Sequence, residues 1–404
     1  MKHITDLKKI DELLDKGVEK IYPSREKMRE KLLKGDRIKL YCGFDPSAPS
    51  LHIGNAIQIN KLAQFQKMGH EVIFLIGDFT GMIGDPTDKS ATRKQLTREE
   101  VLANCESYRQ QAGAYLDFAG DNPARIEYNS KWSDKLTFRD LIEVSSNFTV
   151  QQMMQRDMFQ KRIEEEKPIH LHEFMYPLAQ GYDSVAMDVD LELGGNDQMF
   201  NMMCGRDLMS ALGMREKFVM TLKILADEHG KKMGKSEGNA VFLDNTPEDI
   251  YGKVMSWPDG VMASAFELCT SLSLAEILEI QKNLKNDNIN PRDLKMRLAF
   301  LITEINCSTA DADAAQEHFI KTVQKKEIPD DIEVVRILEE TIKLIDLLVF
   351  TKLASSKGEA RRLITQNGVK INSETISDIE HEVEISEKEI LLQKGKRNFV
   401  KIVK

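Results

Sequence analysis

The chain has 404 residues, of which 41% are apolar and 30% are charged, and its formal net charge is −9. The composition is typical of a water-soluble globular protein, and the length predicts two or three domains. No apolar run approaches the ~20 residues that a helix needs to span a bilayer. The charged N-terminus predicts no signal or transit peptide. The five scattered cysteines, never spaced as CxxC, favour a reducing cytosol over a disulfide framework or a zinc site.

The first half of the chain alternates between predicted strands and helices. Apolar runs at 37–45 and 71–79 are typical of buried strands, and residues 54–69 between them have helical spacing and end at a glycine. This order predicts a βαβ unit with parallel strands. Further segments fit the same sheet, namely a helix at 98–118 and strands at 124–129, 184–194 and 217–225. The predicted fold class is α/β, with a Rossmann-like, doubly wound parallel sheet.

The character of the sequence changes after about residue 245, where the spacing becomes that of helices alone. Residues 246–284 and 291–307 have helical periodicity, and 326–333 form a charged connector that contains a proline. Residues 353–376 predict a helix, a turn and a strand, and 382–404 predict a hairpin of short strands. An all-α domain followed by a small α+β domain is therefore expected.

The segment DPSAPSLHIGNAIQ at 45–58 follows the first strand of the βαβ unit. Ligands of open parallel sheets bind beyond the carboxyl ends of the strands. Gly54 allows a close approach of the backbone, the helix start offers free N–H groups, and His52 adds a donor beside them. The pattern is consistent with a phosphate site, and a simple helix start is the alternative.

A second segment, GKKMGKSEGN at 230–239, follows the last predicted strand of the sheet. Lys232 and Lys235 lie three residues apart among glycines and can bring two cations to a triphosphate. The alternative is an exposed basic turn with no ligand.

Taken together, HIGN and KMGKS resemble the paired signatures HIGH and KMSKS of the class I aminoacyl-tRNA synthetases. Four further segments resemble motifs of the tyrosyl-tRNA synthetases: LYCGFDPSAPSLHIGN, TGMIGDPTDKSATR, YPLAQGYDS and LGGNDQMFN. The C-terminal LASSKGEARRLITQNGVKINSETI resembles an S4 RNA-binding domain. Over nearly its whole length the chain is similar to the bacterial-type tyrosyl-tRNA synthetases.

The resemblance implies a cytoplasmic tyrosine–tRNA ligase that forms a homodimer and does not bind a membrane. Such an enzyme activates L-tyrosine with ATP, accompanied by Mg²⁺, and transfers the tyrosyl group to the 3′ end of tRNA(Tyr). It implies a Rossmann-like catalytic domain at 1–240, a helical domain of the anticodon-binding type at 241–332 and an S4-like RNA-binding domain at 341–404. No structural metal is expected.

The resemblance also implies a set of side chains that hold tyrosine. Tyr41 and Asp183 would meet the phenol, and Gln198 would orient the carboxylate. The α-ammonium would be held by Asp85, Tyr176 and Gln180, and Asp45 would lie nearby. Taken singly, each has a structural alternative, such as a core tyrosine or a turn aspartate.

The implied ATP-binding residues fall into three groups. Cys42, with backbone at Gly43, and Asp197 would meet the ribose. The catalytic groups at the phosphates would be His52, Asn55, Lys232 and Lys235, with Gly54 at the helix start. Lys89 and Arg93 are further candidates for the pyrophosphate. Since the substrate carboxylate is itself the nucleophile, these residues would act by positioning and electrostatic stabilisation.

Two positions depart from the family pattern. Asn55 replaces the second histidine of HIGH; an amide offers a donor of similar reach but cannot carry charge. Gly234 replaces the serine of KMSKS, which removes one hydroxyl and adds backbone freedom, while both lysines remain.

The C-terminal segment is more basic than the rest of the chain. Residues 341–404 hold 12 Lys+Arg against 9 Asp+Glu, a balance of +3, so the preceding residues carry −12. The basic residues predicted to meet RNA phosphates are Lys357, Arg361, Arg362, Lys394, Lys396 and Arg397. No aromatic platform accompanies them, which favours recognition of backbone and shape. Ordinary surface charge is the alternative.

Three other functions remain open at this point. The first two are a tryptophan-specific relative and a nucleotidylyltransferase on the same fold; Asp183 and the S4-like tail argue against both. The third is a catalytically silent RNA-binding protein, which would be expected to lose the lysines of KMGKS or the Asp183 pocket. The pair His170 and His172 lacks a third ligand nearby, so a structural role is favoured over a metal site.

Overall fold

The computed structural model describes most of the chain. The described residues are 4–86, 96–226, 240–285, 290–324, 333–337, 339–386, 389–395 and 398–404. Several residues of the predicted sites lie outside the described residues, namely Lys89, Arg93, Lys232, Gly234, Lys235, Lys396 and Arg397. The chain forms two compact units, Met1–Ala312 and Asp313–Lys404.

The larger unit is built on a six-stranded sheet. Its strands are β1 Val18–Tyr22, β2 Lys39–Phe44, β3 Glu71–Ile76, β4 Arg125–Tyr128, β5 Leu191–Gly195 and β6 Phe218–Leu222. The order is β1-β6-β5-β2-β3-β4, with β2 to β6 parallel and β1 antiparallel to β6. The predicted doubly wound α/β fold is confirmed, and β1 is an edge strand that the sequence did not reveal.

Helices cover the sheet and follow it along the chain. The described helices of the larger unit are α1 Leu7–Asp15, α2 Arg25–Leu33, α3 Ile53–Lys67, α4 Thr80–Ile83, α5 Arg98–Cys105, α6 Tyr108–Ala112, α7 Ser130–Ser133, α8 Phe138–Ser145, α9 Val150–Met154, α10 Asp157–Glu164, α11 Leu171–Met187, α12 Met199–Ala211, α13 Pro247–Met255, α14 Met262–Cys269, α15 Leu274–Lys285 and α16 Pro291–Asn306. The next helix, α17 Thr309–Phe319, runs into the second unit. The predicted all-helical character after residue 245 is confirmed, and α13 to α16 belong to the same compact unit as the sheet.

Two predicted segments differ from the structure. The helix expected over 98–118 is divided into α5 and α6. The strand expected over 184–194 begins only at Leu191, because residues 184–187 complete α11. Asp188 ends that helix in the left-handed conformation, with φ of 47°, a region that short polar side chains tolerate. The apolar run therefore spans a helix end and a strand start.

The second unit is a small α+β arrangement. Its strands are β7 Glu333–Arg336, β8 Thr341–Lys343, β9 Val369–Ile371, β10 Glu374–Thr375, β11 Glu382–Glu384, β12 Ile390–Lys394 and β13 Asn398–Val403, and its further helices are α18 Leu344–Phe350 and α19 Lys357–Thr365. The predicted helix, turn and strand at 353–376 and the hairpin of β12 and β13 are confirmed. Because β7 pairs with β13, this sheet includes a strand that precedes the predicted segment 341–404.

The described helices include none whose length and apolar character would carry it across a membrane. All five cysteines are free thiols, and four of them are buried.

Candidate active site

A cleft of about 550 Å³ opens beyond the carboxyl ends of β2 and β5, where the order of the sheet reverses. All of the predicted tyrosine-binding residues line it, namely Tyr41, Asp45, Asp85, Tyr176, Gln180, Asp183 and Gln198. Four of the predicted ATP-binding residues also line it: Cys42, Gly43, Asn55 and Asp197. His52 and Gly54 lie at the start of α3, outside the lining. The fold thus brings together side chains that are up to 157 positions apart in the sequence.

Asp45 follows the last residue of β2 and is held by two hydroxyl donors. Thr80 Oγ1 donates to Oδ1 over 2.6 Å and the Tyr176 hydroxyl donates to Oδ2 over 2.7 Å. Burial raises the pKa of Asp45 to about 7, although both hydrogen bonds oppose the shift. An approaching cation would favour the ionised carboxylate, so this group is suited to receive an ammonium.

Asp183 is 2% exposed and accepts two hydrogen bonds from N–H donors. Trp132 Nε1 donates to Oδ1 over 2.7 Å and Asn129 Nδ2 donates to Oδ2 over 3.2 Å. Burial raises the pKa of Asp183 well above its ordinary range, and both donors oppose the shift. Sequence reasoning missed Asn129 and Trp132, whose only signal was their position at the end of a predicted strand and just beyond it.

Gln180 has one end committed and one end open. Its Nε2 donates to Glu192 Oε1 over 3.0 Å. Its Oε1 is buried and has no hydrogen-bond partner among the described residues. Glu192 was also missed by the sequence analysis, as was Lys217, which forms a buried ion pair with it. A buried acceptor without a donor is suited to a ligand that carries N–H groups.

Gln198 and Asp85 form a second polar group on the wall of the cleft. Gln198 Nε2 donates to Asp85 Oδ2 over 2.6 Å, and Asn201 Nδ2 donates to Gln198 Oε1 over 2.9 Å. Arg156 Nη2 lies 3.9 Å from Asp85 Oδ1. The Arg156 guanidinium also lies over the Phe200 ring, 5.1 Å from its centroid. Burial lowers the pKa of Arg156, and Asp85 is the largest opposing influence.

The start of α3 is capped by the two signature residues themselves. His52 Nδ1 accepts from the Gly54 amide over 3.1 Å, and Asn55 Oδ1 accepts from the His52 amide over 3.0 Å. This is a capping box, in which both side chains satisfy N–H groups of the first turn. A Cβ on Gly54 would lie 2.9 Å from His52 Cε1, which explains the glycine. Since the Asn55 amide oxygen is committed, its NH₂ is the end that can serve a ligand.

The chain that follows the KMGKS segment returns to this same helix start. The Ile53 amide donates to the Val241 carbonyl over 2.9 Å, and the Leu243 amide donates to the Leu51 carbonyl over 2.8 Å. Phe242 forms a bridge with His52 between them. The described residues that follow KMGKS are therefore joined by backbone hydrogen bonds to the chain around HIGN.

The histidines of HLH lie at the beginning of α11. His170 is its N-cap residue, and its amide donates to Glu173 Oε1 over 2.9 Å. Both His170 and His172 line the cleft. The described residues contain no group of three His, Cys, Asp or Glu side chains placed to hold a metal ion.

In the second unit the predicted RNA-binding residues that are described lie on α19 and at the end of β12. Arg361 and Arg362 are exposed on α19. Lys357 pairs with Asp346 over 2.6 Å, and Lys394 pairs with Glu359 over 2.9 Å. All three cations of α19 are thus exposed, and Lys357 differs from the two arginines by its ion pair with Asp346.

Comparison with known proteins gives matches over nearly the whole chain. Residues 33–324 match the family described as tRNA synthetases class I (W and Y). Residues 324–402 match the family described as the tyrosine–tRNA ligase SYY-like C-terminal domain. The tyrosine–tRNA ligase of Thermotoga maritima is 45% identical over 382 residues, which cover 94% of this chain and 94% of that protein. The tyrosine–tRNA ligase of Moorella thermoacetica is 43% identical over 394 residues, covering 96% and 94%.

Solved structures show the same fold at lower identity. The tyrosyl-tRNA synthetase of Archaeoglobus fulgidus, complexed with L-tyrosine, has a TM-score of 0.60 and 20% identity, covering 77% of this chain and all of that one. A C-terminally truncated mitochondrial tyrosyl-tRNA synthetase of Coccidioides posadasii has a TM-score of 0.62 and 21% identity, covering 76% of this chain and 91% of that one.

Asp45 makes the stability of the folded chain depend on pH. Its pKa is about 7 in the folded state against an ordinary value of 3.8, so between these values the native state holds a proton that the unfolded chain has released. The resulting contribution to the free energy of unfolding is fully present below the ordinary pKa and is lost as the pH rises through the folded pKa. The melting temperature of Asp45→Asn, which cannot ionise, should therefore rise relative to the original protein between about pH 5 and pH 8.

Asp36→Asn is the matched control, since Asp36 is an exposed carboxylate of the same unit. Its melting temperature relative to the original protein should stay constant over the same range. A constant difference for Asp45→Asn as well would contradict the burial effect.

Proposed function

The chain belongs to the tyrosyl-tRNA synthetases of class I, and from this premise we propose that its cleft holds L-tyrosine and ATP for tyrosine–tRNA ligation. The observation that carries the proposal is that every tyrosine-binding residue expected from the resemblance lines one cleft at the reversal of the sheet. The two named relatives and the C-terminal family are described as tyrosine ligases, which favours tyrosine over tryptophan.

The reaction proceeds in two transfers. The tyrosine carboxylate attacks the α-phosphorus of ATP, forming a new P–O bond while the bond to pyrophosphate breaks. A terminal ribose hydroxyl of tRNA(Tyr) then attacks the carbonyl carbon of tyrosyl-adenylate, and AMP leaves. Both nucleophiles are supplied by substrates, so the protein contributes orientation and stabilisation of charge.

Tyrosine is bound at both of its polar ends. Asp85, Asp45 and the open Gln180 Oε1 offer an anionic, accepting surface to the α-ammonium. Asp183 and Tyr41 lie deeper, where Asp183 accepts the phenol O–H. Phenylalanine would leave that buried carboxylate without the expected donor, which penalises its binding.

ATP is bound between the start of α3 and the loop after β5. The Asn55 NH₂ and His52, beside Gly54, would serve the phosphates, while Cys42, Gly43 and Asp197 meet the ribose. The free N–H groups expected at this helix start are absent from the structure, because the amides of Ile53, Gly54 and Asn55 already donate to Val241, to His52 Nδ1 and to the His52 carbonyl. For Lys232, Lys235, Lys89 and Arg93 the proposal rests on the resemblance. The hydrogen bonds from Ile53 to Val241 and from Leu243 to Leu51 tie the chain just after KMGKS to the start of α3, which supports the assignment of both signatures to one site. Mg²⁺ arrives with ATP, since it binds mainly through phosphates and water.

The second unit binds tRNA through phosphate contacts. Arg361 and Arg362 are exposed on one helix. Their contacts to phosphates would not distinguish one RNA sequence from another, so they contribute affinity and orientation. Lys357 and Lys394 would have to exchange their present carboxylate partners for phosphates.

The active form is a homodimer. In α8, all of which the structure describes, no residue is buried although Phe138 and Ile142 are large and apolar. Val150 on α9 and Leu171 on α11 are 72% and 80% exposed, and α8 packs against α11. Four large exposed apolar side chains on these three helices favour a protein interface over a solvated face. The occupant proposed is the same face of a second copy, as the resemblance implies.

We place the enzyme in the cytoplasm. Its five free thiols fit a reducing compartment, and its tRNA substrate is a component of translation.

Asp183→Asn tests the tyrosine pocket through tyrosine-dependent exchange of pyrophosphate into ATP. An amide would turn its own N–H groups towards Trp132 or Asn129, so kcat/KM for tyrosine should fall by about tenfold to a hundredfold. The preference for tyrosine over phenylalanine should fall with it. Asp188→Asn is the control, because Asp188 caps the same helix and its half-exposed side chain pairs with Arg215. Exchange supported by tryptophan, or by no amino acid, would refute the function.

Arg361→Ala combined with Arg362→Ala tests the proposed binding of tRNA by the second unit. Loss of two phosphate contacts should lower kcat/KM for tRNA by about tenfold and weaken the dependence of tRNA affinity on salt. Tyrosine-dependent exchange should be unchanged, since it needs no RNA. Lys343→Ala, on β8 of the same unit, should change neither. Unaltered tRNA charging by the double variant would exclude Arg361 and Arg362 of α19 as tRNA contacts.

Phe138→Asp tests the proposed subunit interface by sedimentation. The original protein should sediment as a dimer at micromolar concentration and the variant as a monomer, because a buried unpaired carboxylate opposes association. Leu212→Asp is the control, since Leu212 is also exposed but follows α12. A monomeric original protein, or a dimeric Phe138→Asp variant, would rule out this interface.

A further inference from the structure

We propose that Lys217 and Glu192 act as positioning residues that orient Gln180 and Tyr41 at the two ends of the tyrosine pocket. The inference rests on the proposed roles of Gln180 and Tyr41. It adds a pair of residues that need not touch either substrate for its effect.

The ion pair is buried, and Glu192 is its member that lines the cleft. The side chain of Lys217, just before β6, is 0% exposed and that of Glu192, on β5, is 2% exposed. The Lys217 ammonium donates to Glu192 Oε2, to Ser184 Oγ over 2.7 Å and to the Met202 carbonyl over 3.0 Å. Its three N–H groups therefore have three acceptors.

The packing of α11 against α12 leaves room for this ammonium. A Cβ on Gly205 would lie 2.5 Å from Lys217 Nζ and 2.9 Å from Ser184 Oγ. On the facing helix, a Cβ on Gly181 would lie 3.2 Å from the Gly205 amide nitrogen. Two glycines are thus used where a buried cation passes between helices.

Stability alone does not account for such a pair. Replacing a buried ion pair by apolar side chains of similar volume is often neutral or stabilising, whereas removing one partner is strongly destabilising. Burial lowers the pKa of Lys217, which shows the cost of desolvation, and Glu192 opposes that shift. The groups that Lys217 and Glu192 contact therefore indicate a role for the pair beyond stability.

At the end of the pocket proposed for the α-ammonium of tyrosine, Glu192 contacts Gln180. An ionised carboxylate can only accept hydrogen bonds, so Glu192 Oε1 requires the NH₂ end of the Gln180 amide, which donates over 3.0 Å. The amide oxygen is thereby turned away from Glu192 and remains buried with no partner in the described part of the chain. Lys217 donates to the other carboxylate oxygen, Oε2, and so holds Glu192 with Oε1 towards the Gln180 amide.

At the phenol end the contact runs through Ser184. The Lys217 ammonium can only donate hydrogen bonds, so Ser184 Oγ must accept from it. The same oxygen lies 2.9 Å from the Tyr41 hydroxyl, and Tyr41 is 0% exposed. Burial raises the pKa of Tyr41 well above its ordinary range, so the hydroxyl keeps its proton. One ammonium thus fixes the serine that holds Tyr41 and the carboxylate that orients Gln180.

The test separates this role from a structural one by removing the charges singly and together. Lys217→Met leaves Glu192 buried without its cation, so the melting temperature should fall by at least about 5 °C. Adding Glu192→Leu removes the second charge and should restore most of that loss. The KM for tyrosine in pyrophosphate exchange should rise by about tenfold to a hundredfold in the single and the double variant. The KM for ATP should be unchanged in both.

The matched control is a second lysine–glutamate pair of the same unit. Lys223 pairs with Glu267 over 2.7 Å, with side chains 41% and 12% exposed. Lys223→Met with Glu267→Leu should leave the KM for tyrosine unchanged. A double Lys217 and Glu192 variant that recovers both its stability and the original KM for tyrosine would overturn the positioning role. Failure of the unaltered protein to show tyrosine-dependent exchange would instead refute the proposed function.

Ser184→Ala gives an independent test that keeps the ion pair and removes a single oxygen. Loss of the contact to Tyr41 should lower the ratio of kcat/KM for tyrosine to that for phenylalanine, with no change in the KM for ATP. If the double variant does not fold, this measurement decides the phenol end. An unchanged ratio would exclude any action of Lys217 through Ser184.

Discussion

The burial of three carboxylates around one cleft is the constraint on which the rest of the site depends. Each is kept in place by a different kind of donor: hydroxyl groups at Asp45, side-chain N–H groups at Asp183 and an ammonium at Glu192. A buried anion without donors would be too costly to retain. The helices and loops beyond the strand ends therefore have to deliver particular polar atoms, as well as apolar surface, to this region.

The elements near the first signature could be predicted because their signals are local. An apolar run, a helical spacing and a second run define β2, α3 and β3 without reference to distant residues. The same method failed at 184–194, where an apolar run continues through a helix end at Asp188 into β5. Trp132 and Lys217 were missed because their roles depend on partners far along the chain. In the sequence Lys217 is only a charged residue at the start of a predicted strand, and its role emerges when Glu192 and Ser184 are found around it.

The departure at Asn55 also became interpretable only in three dimensions. An amide side chain has an acceptor and a donor at opposite ends of one planar group. In this chain the acceptor completes the capping box with the His52 amide, which leaves the donor for a ligand. For the segment 45–58 around it, the sequence alone left open a helix start or a phosphate site. The geometry makes both available to the same residue.

The arrangement of Lys217 and Glu192 also restricts the routes by which the sequence can change. A chain that carries an apolar pair at these positions can be as stable as this one, but either single replacement leaves a lone charge in the interior. Gly205 restricts the possible substitutions further, because a larger side chain there would contact the Lys217 ammonium. A lineage that possesses this pair is therefore separated from its apolar equivalent by an unfavourable intermediate. History, in addition to present function, can keep a buried charge in place.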